Sequence, residues 1–397
     1  MEENRNRQIL AQSQKGNGKI TPYNNKTKGD EMNFTADRKH LADALKTACA
    51  CVARNAMLPL LNNALFEAKD GKVTITCLNL EQRVSASFAA DITTDGATTL
   101  PALKLLNLLG KLTGDSVTVS TDNSNKDVSE ITCGTTYMKI AGIEPDDFPG
   151  KAETSPIVNF SIDTKDLVLL LAHGGYAVSA DDARKVLTGV LFDISAVGIN
   201  IVSTDGKRLA CVDYYCPVEI GTAKQFIIPA AAVAMLNKFK GDKVNLAFSE
   251  KYVDVKIGDI DFQSKLIPGA FPNYKAIIPS SMPEKVEINA SEFLAKLSLV
   301  SAMVTAIDQT VAFSFDGEKL KMSAGGAEGI VTDSMSISTK TAFTAPVLMN
   351  FNPAFVTAAV SACGEGTFTM SFKDGANPVI FEFGNNSKAV IMPIRAK

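Results

Sequence analysis

The chain has 397 residues, is 46% hydrophobic and 21% charged, and carries a formal net charge of −3. That is the balance of a soluble globular protein of two or three domains, and the slight excess of acid argues mildly against nucleic-acid binding by bulk charge. The longest apolar runs, such as LVLLLA at 167–172, fall far short of the ~20 residues of a membrane span. No apolar core of a signal peptide is visible near the N-terminus, so the expected location is cytoplasmic.

Residues 1–31 are polar and rich in Asn, Gln, Gly and Lys. They offer little apolar surface to offset the entropy of ordering, so they read as a disordered extension, with the folded part starting at Met32. Seven scattered cysteines form no CxxC pair, and only two histidines are present. The thiols are expected to be buried and reduced, with no zinc site and no cofactor.

From Met32 onward the chain repeats. FTADRKHLADAL from Phe34, FSIDTKDLVLLL from Phe160 and VEINASEFLAKL from Val286 start 126 residues apart. Asp37, Asp163 and Asn289 fall in register as helix N-caps. Leu41, Leu167 and Phe293 follow, and Leu45, Leu171 and Leu297 lie one turn further on the same helix face. A second motif begins at Leu100, Ile228 and Asn352: Pro in the first helical turn, apolar residues at helical spacing, a Gly stop, then an alternating strand. Between them NALFEAKDGKVTITC, GVLFDISAVGINIVS and VAFSFDGEKLKMSAG each read as two strands joined by a short turn. The predicted fold is α+β: three tandem similar domains at 32–155, 156–284 and 285–397, each with two helices packed on antiparallel sheet. Helices are predicted over 37–51, 101–112, 163–177, 229–240, 290–303 and 352–363. They are basic relative to the rest of the chain, so a surface lined by all six would attract phosphate without reading sequence.

The Phe-Pro segments 143–156 and 266–285 read as interdomain connections in which Phe271 and Tyr274 pack against a domain. No GxGxxG, Walker A, HExxH or GxSxG pattern occurs. The Gly-rich AGGAEG at 324–329 reads as a loop, His173 as a helix C-terminal residue favoured by the dipole, and Asp181-Asp182 as the opening of a helix or turn. STDGKRLA at 203–210 is different. Its Asp205-Gly206 makes a tight turn, but the other copies have LNLEQRVS and SAGGAEGIV there, so the Lys207-Arg208 pair is private to the middle copy. An apolar floor with a basic edge suits docking better than catalysis.

The three copies, TDGKRLA, GAFPNYKAIIP and the C-terminal VIMPIR together resemble the bacterial DNA polymerase III β subunit family of sliding clamps, over 32–397. The resemblance implies a ring-forming head-to-tail homodimer of the DNA clamp fold, with no enzymatic activity, around double-stranded DNA. Implied partners are the replicative polymerase α subunit, the clamp-loader ATPase complex and other clamp-binding replication and repair proteins, with no membrane. A partner-peptide pocket is implied at Leu187, Thr204, Gly206, Lys207, Arg208, Leu209, Pro272, Ile277, Asn352, Phe355, Val390, Ile391, Met392, Pro393, Ile394 and Arg395. Lys207 stands where the family often has His and Ala276 where it often has Arg. The implied DNA-facing set is Arg54, Asn55, Lys104, Lys111, Lys185, Lys238 and Lys240, with Ala230-Ala231 replacing a common basic pair. Met138 and Ile140 are expected to meet Leu299 and Val300 of the partner subunit. The competing reading is a cytoplasmic repeat-domain enzyme or carbohydrate-binding protein that shares only the domain pattern.

Overall fold

Six helices form where the repeats place them: α1 Arg38–Ala48, α2 Ala102–Leu109, α3 Thr164–Gly175, α4 Ala230–Leu236, α5 Ala290–Ser301 and α6 Pro353–Cys363. The computed structural model describes residues 20–22, 32–52, 58–122, 125–279, 281–305, 309–326, 328–339, 346–364 and 366–395. The side chain of Asp37 accepts from the backbone N–H groups of Lys39 and His40 at the start of α1, and that of Asn289 from Glu292 at the start of α5. Those carboxylate and amide oxygens satisfy donors that a helix N-terminus leaves open. The expected i, i+4 pairs point inward: Leu41 with Leu45, Leu167 with Leu171 and Phe293 with Leu297 are all buried.

Two compact units result, 1–164 with 238–266, and 165–237 with 267–397. The division runs through the middle repeat instead of falling at the predicted boundaries, because the sheets are shared between repeats. In the first unit an antiparallel eight-stranded sheet runs in the order Val158–Asp163, Lys243–Phe248, Tyr252–Ile257, Ile260–Lys265, Gln82–Ala89, Lys72–Leu78, Asn63–Lys69, Gly96–Pro101. The join is Ile260–Lys265 of the middle repeat on Gln82–Ala89 of the first. In the second unit a nine-stranded sheet joins the middle and third repeats through Arg208–Tyr215 on Ser387–Ile391. A five-stranded sheet in the first unit ends on Thr136–Ala141, and a four-stranded sheet in the second ends on Gly329–Ser336.

Several expectations change. Of the extension 1–31, Ile20–Pro22 forms a short strand against Pro149–Ala152, and the other residues lie outside those described. AGGAEG is not a loop: Ala324, Gly325 and Gly326 pair with Val331, Ile330 and Gly329 in a hairpin, since backbone pairing needs no side chain. Helices α2 and α4 stop at Leu109 and Leu236, so Lys111, Lys238 and Lys240 lie beyond their C-termini. His173 does stand in the last turn of α3, and it is buried there. Its imidazole Nδ1 is 3.1 Å from both Asn385 Nδ2 and Ser387 Oγ, and its carbonyl accepts from the Cys363 thiol at 3.8 Å. The histidine thus brackets α3 to the last strand and to α6.

The third repeat has an aromatic core. Phe293 is fully buried and meets Phe313 and Phe368 edge-on, with centroids 5.7 and 5.2 Å away. Phe293→Ala should cost about 3–5 kcal/mol, through lost transfer energy and a cavity that such packed rings cannot fill. Urea unfolding monitored by circular dichroism reads this as a lower midpoint at unchanged slope.

Candidate partner-docking site

The site begins with the STDGKRLA turn between the strands Gly198–Thr204 and Arg208–Tyr215. Asp205 Oδ1 accepts from the backbone N–H of Lys207 at 2.8 Å and of Arg208 at 3.0 Å. Its Oδ2 accepts from Arg208 Nε at 3.1 Å. Thr204 Oγ1 donates to the Arg208 carbonyl and accepts from Gly206 N–H. Gly206 has φ +86°, a left-handed conformation that the glycine allows. So many bonds within five residues make the turn rigid, with Asp205 as its brace.

Bracing fixes where Arg208 goes. Its guanidinium lies over the Phe355 ring, 4.5 Å from the centroid. Phe355 stands in the first turn of α6, whose N-cap is Asn352, accepting from Ala354 N–H at 2.9 Å. The C-terminal tail closes the assembly. Leu209 pairs with Val390 and Arg208 with Ile391, then Met392 N–H donates to the Lys207 carbonyl at 3.0 Å and Ile394 N–H to Asn350 at 2.7 Å. The tail is therefore strapped across the turn at both ends.

Beneath lies an apolar floor. Leu187, Leu209 and Val390 share a buried cluster with Leu191, Val202, Phe271 and Tyr274. Both aromatics of the Phe-Pro connection do pack against a domain, as anticipated. Tyr274 is also held by polar bonds, donating to Asp193 at 2.7 Å and accepting from Asn200 Nδ2 at 3.1 Å. Above this floor Lys207, Pro272, Ile277, Met392, Ile394 and Arg395 are exposed. A concave site of about 230 Å³ next to Ile394 is lined by Leu348, Asn350 and the 374–376 turn.

The sixteen predicted pocket residues thus divide. Leu187, Thr204, Gly206, Lys207, Arg208, Leu209, Asn352, Phe355, Val390, Ile391, Met392 and Ile394 are joined by the contacts above. Leu187, Thr204, Leu209, Val390 and Ile391 are buried and form support rather than rim. Two residues were missed. Arg184 lies so close to the turn that a Cβ on Gly206 would come within 2.9 Å of its Nη1, and it is paired with Asp181 at 3.1 Å. Leu348 is 58% exposed beside the tail. Arg184 lies two residues after the Asp181-Asp182 pair, so its charge was the available signal. Leu348 had none, because only the Asn350–Ile394 bridge brings it to the site.

Asp181 opens a 3-10 turn as expected, accepting from Ala183 N–H, and that bond together with Arg184 holds its carboxyl below the usual range. Burial pushes the Cys51 and Cys211 thiols up to about 12, so both remain protonated and poor nucleophiles. Of the predicted DNA-facing residues, Lys104, Lys111, Lys185, Lys238 and Lys240 are exposed, while Arg54 and Asn55 lie outside the described residues. Two cations counted among the basic helices are used internally. Arg38 donates to the carbonyls of Gly114 and Leu109, and Lys296 pairs with Asp333.

Three repeats joined edge to edge, with a strapped tail beside a braced turn, define a sliding-clamp architecture. Solved structures align with it over 92% of this chain and all of theirs: the DNA polymerase III subunit beta of Pseudomonas aeruginosa at 21% identity and TM-score 0.87, and the sliding clamp of Bartonella birtlesii, bound to griselimycin, at 26% and 0.85. The beta sliding clamps of Chlamydia pneumoniae and Chlamydia muridarum are 26% and 25% identical over 92% of this chain and 99% of theirs. Models of the N-terminal, central and C-terminal domains of the DNA polymerase III beta subunit match residues 32–152, 161–273 and 275–395. The chain belongs to the DNA polymerase III beta subunit family. It is accordingly a sliding clamp of DNA replication, a processivity factor and not a catalytic enzyme, and the enzyme or carbohydrate-binding alternative has no support.

Gly206→Ala would place a methyl against Arg184 and force a left-handed alanine. It should destabilise the protein by about 1–2 kcal/mol, seen as a lower midpoint in thermal unfolding, while Lys207→Ala, exposed and with only its backbone bonded, leaves the midpoint unchanged.

Proposed function

We propose that this chain closes head to tail with a second copy into a ring around duplex DNA, and holds replication proteins by short peptides at the turn, linker and tail. One observation carries the ring. Each internal joint pairs the fourth strand of one repeat with the last strand of the next: Gln82–Ala89 with Ile260–Lys265, then Arg208–Tyr215 with Ser387–Ile391. Continuing that rule, Gly329–Ser336 of the third repeat and Thr136–Ala141 of the first remain, and both are sheet edges. Edges carry unpaired backbone groups, so they are ready to join. In one chain they are the two ends of the series, and a second copy closes it by a heterologous contact.

Exposed apolar residues support this joint. Ile330 is 77% and Tyr137 56% exposed. Lys296 ties α5 to the edge strand through Asp333 at 3.1 Å, and Leu299, 55% exposed, follows in the same helix. Two of the expected interface residues need correction. Val300 is fully buried in its own core, three residues after buried Leu297 on the same helix face, and Ile140 is buried too. Met138 and Leu299 remain as contacts, and Ile330 and Tyr137 join them.

Within the ring, the exposed lysines Lys104, Lys111, Lys185, Lys238 and Lys240 would meet phosphates. Lys111, Lys238 and Lys240 also follow helix C-termini, where a cation complements the dipole. Contacts of this kind are non-specific and salt-sensitive, which sliding needs. Partners would include the polymerase α subunit and the clamp-loader ATPase complex, inserting apolar anchors over the Leu209–Val390 floor beside Arg208. A cytoplasmic location follows from this role.

Loaded on nicked circular DNA by a clamp loader, the protein should co-migrate with the circle and leave when the circle is cut. Equal retention on linear DNA, or none on the circle, overturns the ring. Ile330→Asp places a charge in the joint and should convert the dimer to monomer in sedimentation velocity, with loss of retention.

Deleting residues from Met392 onward should abolish polymerase stimulation while the dimer persists. Primer-extension length and sedimentation together separate a lost pocket from a lost ring.

A further inference from the structure

The sheet face that carries the pocket floor continues beyond it. Side chains alternate along a strand, so Leu209, Cys211 and Asp213 share one face, with Val390 opposite Leu209 and Lys388 opposite Cys211. Past the packed linker this face opens into a groove of about 380 Å³. Its walls include the Tyr274 ring, Ile278, Pro279 and Ile380, and its polar rim carries two lysines and acidic groups.

Two lysines and two carboxylates line the groove, but both lysines are already paired, Lys275 with Asp193 behind the lining. Asp193 is matched by Lys275 at 3.1 Å and by the Tyr274 hydroxyl at 2.7 Å. Glu382 is matched by Lys388 at 3.8 Å. Asp213 is exposed, its side chain touching only the Cys211 thiol at 3.9 Å, and it has no ion pair among the described residues. One unmatched carboxylate above apolar walls complements a cation on a methylene stem, which lies along apolar surface while its charged end stays near water.

We propose that this groove receives a Lys or Arg side chain from a protein whose docking peptide occupies the neighbouring pocket, with Asp213 as its counter-charge. The inference rests on the reading of that pocket as a peptide site. It also sets a spacing. Asp213 is four residues from Leu209, about 13 Å along the strand at ~3.3 Å per residue, so the basic residue stands about four extended residues from the anchor over Leu209.

The test uses the full-length protein and labelled peptides with apolar anchors, bearing arginine or its neutral isostere citrulline four residues to either side. Arginine in place of citrulline should tighten binding about threefold at low salt, the scale of one exposed ion pair. That gain should vanish in Asp213→Asn, with the citrulline peptide unaffected. Equal affinities, or a gain that survives Asp213→Asn, overturn the proposal. If no peptide binds, the pocket reading has failed, and the groove is read separately from the Ile278 and Ile380 methyl resonances during titration with N-acetyl-arginine amide. Shifts in the wild type that are absent in Asp213→Asn and with the citrulline analogue support the groove. No shift, or the same shift in all, overturns it.

Discussion

Backbone pairing between consecutive repeats is the interaction on which everything else depends. Gln82–Ala89 needs Ile260–Lys265, and Arg208–Tyr215 needs Ser387–Ile391, to satisfy main-chain groups that would otherwise lie open at a sheet edge. No repeat is complete alone. This is why the compact units cut through the middle repeat, and why the last strand of the chain, which ends at Ile391, serves a sheet begun by another repeat.

The candidate docking site is a consequence of that joint. Pairing Arg208 with Ile391 sets the tail beside the turn, and the Met392 and Ile394 hydrogen bonds carry it across. The private chemistry of the middle repeat then has something to act with: Asp205 braces the turn, Arg208 lies on Phe355 from the third repeat, and Leu209 shares a floor with Val390. The equivalent joint in the first unit has a turn of the same build, Asn79 Oδ1 accepting from the backbone N–H of Glu81 and Gln82, but Leu80-Glu81-Gln82 stand there in place of Gly206-Lys207-Arg208. One scaffold device, used twice, gives a site only where the loop and the tail differ from the repeat pattern.

Weak forces suit the other roles. In the proposed ring, exposed lysines on a near-neutral chain would give phosphate contacts that break easily. Arg38 and Lys296, by contrast, hold helix ends and an edge strand in place. Counting charge by helix cannot separate the two groups, because whether a cation is free is a property of its neighbours across the fold.

By itself the sequence determined the elements whose causes are local. Caps at Asp37 and Asn289, the inward pairs from Leu41–Leu45 to Phe293–Leu297, and the tight turn at Asp205-Gly206 depend on residues within a few positions of one another. It also determined the threefold repetition, and through TDGKRLA and VIMPIR the family. The tertiary structure alone decided what depends on long-range pairing. It ended α4 at Leu236, drew AGGAEG into a hairpin, turned Val300 inward and Leu299 outward, buried His173 against Asn385 and Ser387, and brought Leu348 to the tail through Asn350 and Ile394. Those outcomes are set by which strands and side chains meet from distant parts of the chain, and periodicity carries no information about such meetings.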